Sequence, residues 1–404
     1  MTMDGRQVLI SGGGIAGTAL AYWLRRHGAR PTVVERAGAV RSGGYKVDIR
    51  GAALTVVERM GLLEEIRRLR TDVRGGSVVD ASGRRVASMD GDTFGGRVHG
   101  DAELLRGDLN RLLFDAVADG VEHRFDDSVA ALRQTASGVE VTFASGETRT
   151  FDLVIGADGV RSRVRGLAFP DTGDALRDLG YYVAVYSVPN HLDLDRWELT
   201  YVSPGRTALV YSTAQQTDAR AMFLFAVPQA AAAAAGFPRE RTAQQRLVTD
   251  AYAGEGWEVP RLLDGMADTP DFYFDALTQV HLDRWSTGRV GLVGDAAYCA
   301  STASGQGTSL ALVGAYVLAG ELAGASSPEA GLAAYEERMR PFVAANQKLG
   351  PANIKRMVLR SRSQVRMSMA MLRLVNRLPG KDRLMAKVIE PIHRAATAIT
   401  LPTY

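Results

Sequence analysis

Apolar and polar positions follow different rhythms in different parts of this chain. Near the N-terminus, Val8-Leu9-Ile10 is a short unbroken apolar run. Ala19, Leu20 and Leu24 then recur at helical spacing up to Gly28, and Thr32-Val33-Val34 is a second apolar run. That order predicts a strand, a helix and a second strand, a β-α-β unit. A comparable run, Val290-Gly291-Leu292-Val293, stands far downstream and predicts another buried strand. Residues about 72–100 and 178–285 alternate instead, as in Tyr182–Tyr186, Trp197–Val202, Thr207–Tyr211 and Met222–Val227, with Ser203-Pro204-Gly205 as a turn. They predict an antiparallel sheet. Pro228-Gln229 and the alanines Ala230–Ala235 interrupt it as a short helix or loop. Helical spacing returns over 351–378, one long helix, with a shorter one after Pro379-Gly380.

Composition narrows the class. The 404 residues are 46% hydrophobic and 23% charged, ordinary for a soluble globular protein. A single cysteine, Cys299, excludes an internal disulfide framework and fits a cytoplasmic location. The six histidines show no metal-ligand spacing, so no metal is expected. The N-terminus lacks a signal-peptide pattern and no run of eighteen apolar residues occurs, so no stable membrane insertion is expected. Charge is uneven. Residues 351–404 hold eleven Lys/Arg against Asp382 and Glu390, a local net of +9 that leaves the rest at −6. A basic tail suits nucleic acid or a membrane surface. The expectation here is a solvated face on helices that pack through Met357, Met367, Met371 and Leu374, with no nucleic-acid partner.

The β-α-β unit carries a chemical motif. Gly12, Gly14 and Gly17 fit G-x-G-x-x-G between strand and helix, and Glu35 follows Gly17 by eighteen positions, at the end of the second strand. Gly12 permits the tight turn, Gly14 lets backbone approach a pyrophosphate, and Gly17 lets helix and strand pack closely. The first helical residues, Ile15 and Ala16, offer N–H groups and partial positive charge to phosphates. Glu35, with Arg36 beside it, suits the hydroxyls of an adenosine ribose and disfavours a 2′-phosphate. The unit by itself leaves FAD and NAD both open.

Three segments decide between them by resemblance. Leu153-Val154-Ile155-Gly156-Ala157-Asp158-Gly159-Val160-Arg161-Ser162, Gly294-Asp295 and Arg106-Gly107-Asp108-Leu109 resemble the signature of the flavin-dependent aromatic hydroxylases. These class A FAD-dependent monooxygenases include p-hydroxybenzoate hydroxylase, polyketide hydroxylases and tetracycline-inactivating monooxygenases. The resemblance runs from residue 8 to about 325. It implies an α/β fold, in which a Rossmann-type FAD-binding domain (1–71, 101–177 and 286–350) is interleaved with an antiparallel-sheet substrate domain (72–100 and 178–285) and followed by C-terminal bridging helices (351–404). It also implies FAD as cofactor, NADPH or NADH as reductant, and a monomer or homodimer. The reaction implied is transfer of one oxygen atom from O2, through a flavin C4a-hydroperoxide, to an aromatic or polyketide-like small molecule.

Carried onto this chain, the resemblance places Asp295 on the ribityl chain, Arg106 along ribityl and pyrophosphate, and Asp158 near the pyrophosphate. The turn Gly305-Gln306-Gly307, with Thr308, would meet the pyrimidine edge of the isoalloxazine. Arg50, in the segment Gly43–Arg50, is a further candidate for a flavin or NAD(P)H contact. One departure matters. Tyr298-Cys299-Ala300-Ser301-Thr302-Ala303-Ser304 lacks the prolines that many relatives carry, and Tyr298 stands where several have His. A looser loop would expose the flavin. An FAD-dependent reductase without oxygen insertion therefore stays open, as does a non-catalytic flavoprotein. Tyr181, Tyr211, Phe223, Phe225 and Phe274 are either an aromatic pocket or ordinary sheet core.

Overall fold

The computed structural model describes residues 3–41, 44–98, 100–170, 175–228, 236–377 and 381–404. Two sheets organise them. The first has six strands in the order Ser286–Thr287, Val290–Leu292, Leu153–Gly156, Gln7–Ser11, Arg30–Val34 and Glu122–Arg124. All its pairings are parallel except the short edge pair 286–287 with 290–291. Its central strands are unbroken apolar runs because both faces are covered. On one side lie the helices Ile15–Arg26 and Gly307–Gly324, which pack on each other. The second of these is long and apolar enough to cross a membrane by length and composition, yet most of it is buried within the protein. It is apolar all round because it is a core helix.

The second sheet has seven strands: Tyr273–Val280, Leu176–Val188, Ala219–Ala226, Arg206–Tyr211, Trp197–Ser203, Gly75–Val79 and Arg85–Asp90. The expected hairpin forms, with Ser203 opposite Arg206 across Pro204-Gly205. The sheet is antiparallel except at one seam, where Gly75–Val79 runs parallel to Trp197–Tyr201. Two stretches far apart in sequence meet there, so no hairpin turn dictates their direction. The alanines Ala230–Ala235 lie outside the described residues.

The C-terminal expectation needs correction. Instead of one helix over 351–378 and a shorter one, there are three: Leu349–Met357, Arg362–Arg377 and Lys381–Ala396. No glycine or proline causes the first break. Thr207 Oγ1 donates to the Met357 carbonyl, and the Gly205 N–H donates to the Leu359 carbonyl at 2.7 Å. The hairpin thus takes two acceptors at the point of the break, and tertiary contacts override local propensity. At the far end the Asn346 amide donates to the Ala395 carbonyl at 3.0 Å, so the segment touches both layers. Met367, Met371 and Leu374, expected to pack, are instead 69%, 61% and 62% exposed.

Candidate FAD and substrate site

The glycine motif closes around its neighbours as its spacing requires. Gly12 has φ +112°, and a Cβ there would lie 2.5 Å from the Ala157 carbonyl oxygen and 2.9 Å from the Asp158 Cα. A Cβ on Gly17 would lie 1.9 Å from the Gly12 oxygen. Gly14 differs: a Cβ there would meet nothing within 4 Å, and no side chain caps the helix that it opens. The space over Ile15 and Ala16 is thus open, with helix N–H groups facing it.

Glu35 is fixed beside this opening. Its carboxylate accepts from the backbone N–H of Gly13 and of Ala37, each at 2.9 Å. A carboxylate has about four acceptor positions, so two remain for a ribose diol. Arg36 is exposed, and among the described groups it is Arg41 that approaches Glu35, at 3.7 Å. Asp158 sits next to the glycine loop through its backbone. Its carboxylate accepts from the Ser162 hydroxyl and from the N–H groups of Arg163 and Val164 at 2.7 and 3.1 Å. That side chain is engaged as a helix cap, which sequence reasoning had not seen.

The strand Val290–Leu292 delivers Asp295 to the same place. Gly294 has φ +66°, and a Cβ on it would stand 2.8 Å from the Ala16 Cβ. Asp295 does not cap its own short helix, Asp295–Tyr298. Burial pushes its carboxyl up from the ordinary range, opposed by Cys299 and Arg106. Arg106, opening the helix Arg106–Asp115, donates its backbone N–H to the Tyr45 carbonyl at 3.1 Å. Burial works against its charge, yet Tyr45, Tyr273, Asp295 and Asp275 hold its pKa above the usual value. Asp295 and Arg106 thus lie close enough to act on each other electrostatically, Arg106 opposing the upward push of burial on Asp295.

The third wall is Gly305–Thr308. Gly305 is left-handed at φ +66°, and neither Gly305 nor Gly307 would bring a Cβ within 4 Å of anything. No side chain caps the helix Gly307–Gly324 and no acid stands in its first turn. The buried Gln306 Oε1 has no hydrogen-bond partner among the described residues. Together with the space at Gly14 and the half-used Glu35, this forms a cradle that FAD would fill. Glu35 would hold the adenosine ribose, the Gly14–Gly17 turn the pyrophosphate, Asp295 and Arg106 the ribityl region, and Gly305–Thr308 the flavin edge.

The loop 298–304 is anchored without prolines. The Val280 N–H donates to the Cys299 carbonyl at 3.0 Å, and the Gln347 side chain donates to the Val280 carbonyl at 2.8 Å. The Gln279 amide reaches the Gln347 and Ala300 carbonyls at 2.6 and 3.3 Å. Tyr298 points away from the cradle into the core, where its hydroxyl accepts from Tyr335 at 3.0 Å. Burial pushes its phenol up to about 12 and lifts the Cys299 thiol far above its usual range, so neither is a reactive group.

Beyond Gly305 opens a cavity of about 500 Å³. Val183, Thr200, Val202, Leu209, Met222, Leu224 and Leu277 of the seven-stranded sheet form one wall, and Ser368, Met369 and Leu372 form another. Asp48, Arg50 and Glu198 supply charge at its lining. The Arg50 side chain donates to the Gly95 carbonyl at 2.9 Å and to that of Gly96, and pairs with Asp48 at 2.8 Å. Its backbone N–H donates to Ser309 Oγ at 3.1 Å, tying the cavity to the flavin-edge helix. Lys46, unnoticed in the sequence, pairs with Glu198 at 2.8 Å and Glu103 at 3.4 Å, and Arg97 pairs with Glu103 at 2.7 Å.

The aromatic candidates divide. Phe223, Phe225 and Phe274 lie on the opposite face of the sheet, in a core with Tyr252, Val248 and Leu262. Their neighbours Met222 and Leu224 face the cavity, as strand alternation demands. Tyr181 packs with Val183, Ile354 and Val358. Tyr211 lies under the Lys46 ammonium, 4.8 Å from ring centre to nitrogen.

A family model for the FAD binding domain matches residues 6–349. The chain belongs to this FAD-binding family, and a relative 40% identical over 85% of the chain places it among the flavin-dependent monooxygenases. It is 40% identical over 345 residues to a flavin-dependent monooxygenase of an unknown prokaryotic organism, covering 85% of this chain and 88% of the relative. An uncharacterized protein of Mycobacterium tuberculosis (strain ATCC 25618 / H37Rv) is 44% identical over 352 residues, covering 86% and 94%. Among solved structures, tetracycline destructase Tet(51) superposes with a TM-score of 0.85 at 36% identity, covering 99% of this chain and all of that one. These comparisons favour the monooxygenase over the reductase and over a flavoprotein without catalysis. FAD is the cofactor, and a nicotinamide cofactor is the reductant typical of the family.

Proposed function

We propose that this monooxygenase places one oxygen atom from O2 on a polycyclic, polyketide-like substrate of the tetracycline type. The observation that carries the reading is the 500 Å³ cavity, with apolar walls, a charged lining and an opening onto Gly305 at the flavin edge. Its size falls in the range of drug-sized ligand sites. The likeness to Tet(51) supports a flat, oxygen-rich ring system as occupant.

Bound FAD supplies hydride acceptance and O2 activation. The protein does the rest by placement. Glu35, the Gly14–Gly17 turn, Arg106 and Asp295 would hold the cofactor from adenosine to ribityl chain. The free N-terminus of helix Gly307–Gly324 would stabilise negative charge on the reduced ring. The Gln279 and Gln347 anchors would hold loop 298–304 in place against water entry. Thr200 and the ion pair Arg50–Asp48 would orient substrate hydroxyl and carbonyl groups against the apolar wall.

This reading divides the chain into a cofactor domain (1–71, 101–177 and 286–350), a substrate domain (72–100 and 178–285) and a bridge (351–404). It places a monomer or homodimer in the cytoplasm with no nucleic-acid partner. The test is turnover under isotopically labelled O2 with FAD, NADPH or NADH, and a tetracycline. Product bearing one labelled oxygen supports it. Stoichiometric peroxide with unchanged substrate, or anaerobic turnover with an organic acceptor, refutes it.

A further inference from the structure

Helix Arg362–Arg377 has three distinct faces. Ser368, Met369 and Leu372 face inward onto the cavity. Met367, Met371 and Leu374, spaced by four and three residues, share the outer face and are each more than half exposed. They are three of the six large hydrophobic residues exposed among the described part of the chain. Arg362, Arg366 and Arg373 are exposed along one flank of that stripe, and Arg377 continues their sequence pattern. The helix contains no acidic residue.

We propose that this face docks on an anionic lipid surface. Three apolar side chains in water at once are unfavourable unless something covers them, and a helix whose outer face carries an apolar stripe and an arginine flank has the make-up of an interfacial helix. The charge decides between occupants. A second copy of the chain would bring an identical arginine row against the first, with no carboxylate in the helix to offset it. Anionic headgroups complement the row, and each arginine near such a surface adds electrostatic attraction. The wider segment agrees, with eleven Lys/Arg against two acids over 351–404. Docking would set the lining helix of the cavity at the lipid boundary, where apolar polycyclic molecules concentrate. The association is peripheral and leaves the fold unchanged.

The experiment is flotation of the FAD-loaded protein with phosphatidylcholine vesicles, with and without phosphatidylglycerol. Binding is expected only with phosphatidylglycerol, and added salt should weaken it. The triple variant Met367→Ser/Met371→Ser/Leu374→Ser and the double variant Arg366→Glu/Arg373→Glu should each lower partitioning by about tenfold or more. Both should keep the wild-type melting temperature, because every altered side chain is exposed. Failure to bind anionic vesicles at low salt would overturn the proposal. So would equal binding by wild type and the triple variant, the mark of adsorption without insertion. Loss of a dimer in the triple variant, with no vesicle binding by wild type, would assign the stripe to a second copy instead.

Discussion

Gly294 stands so close to Ala16 that a single added carbon on the glycine would lie 2.8 Å from the alanine methyl. This contact joins the last motif of the site to the first. Gly294 also has φ +66°, a conformation that costs other residues energy. Gly294→Ala should therefore lower both the melting temperature and FAD affinity, with a total cost of about 1–3 kcal/mol. Thermal melts with and without FAD measure the two effects separately.

Asp295 should show opposing effects on stability and binding. Burial raises its pKa in the folded apoprotein, so the folded state holds a proton over a pH range where the unfolded chain has released it. Stability from this group is present at low pH and is lost as pH rises from the ordinary carboxylate range through the folded pKa. Asp295→Asn removes that loss and should raise the apoprotein melting temperature at neutral pH. If Asp295 holds the ribityl chain as proposed, the same change would remove a charge-assisted hydrogen bond to it and should weaken FAD binding about 10- to 150-fold. A variant with unchanged FAD affinity would remove Asp295 from the cofactor site.

Lys46 neutralises two carboxylates at once. Its removal in Lys46→Met would leave Glu103 and Glu198 without their ammonium and should cost about 3 kcal/mol in denaturant unfolding. Adding Glu198→Gln to Lys46→Met should recover part of that loss. No recovery would show that the pair is not coupled.

Loop closure should be read in coupling rather than in binding. Gln347→Ala removes the 2.8 Å bond to Val280 and frees the segment that carries Cys299. Reductant consumption should continue while peroxide release rises and oxygenated product falls. The ratio of product to reductant consumed is the measurement.

The two faces of strand Ala219–Ala226 should separate stability from specificity. Phe223→Ala opens a hole in the core beneath the sheet and should cost about 3–5 kcal/mol without a selective change in KM. Leu224→Phe fills cavity space and should raise KM for bulky substrates while the melting temperature changes little. Steady-state kinetics across substrates of graded size separates the outcomes.

Much of this was legible in the sequence because it depends on local rules. The glycine spacing, Glu35 and the strand leading to Asp295 each follow from short-range pattern. The cavity was less so. Aromatic residues drew attention to Phe223 and Phe225, whereas strand parity puts Met222 and Leu224 on the cavity side, and only the sheet's placement says which face that is. The Lys46–Glu198 pair spans 152 positions and has no local signal. The break at Met357–Leu359 was hidden for the same reason, since its cause lies in Gly205 and Thr207.

The strand order of the six-stranded sheet also has a consequence in time. Translation releases Gln7–Ser11 and Arg30–Val34 early, but their neighbour Leu153–Gly156 emerges much later and Val290–Leu292 later still. A chain still on the ribosome therefore owns the phosphate turn long before it owns Asp295 or the helix at Gly307. A groove that needs Gly12, Asp295 and Gly307 together assembles only after all three have emerged. FAD-loaded protein should accordingly resist proteolysis better than unloaded protein.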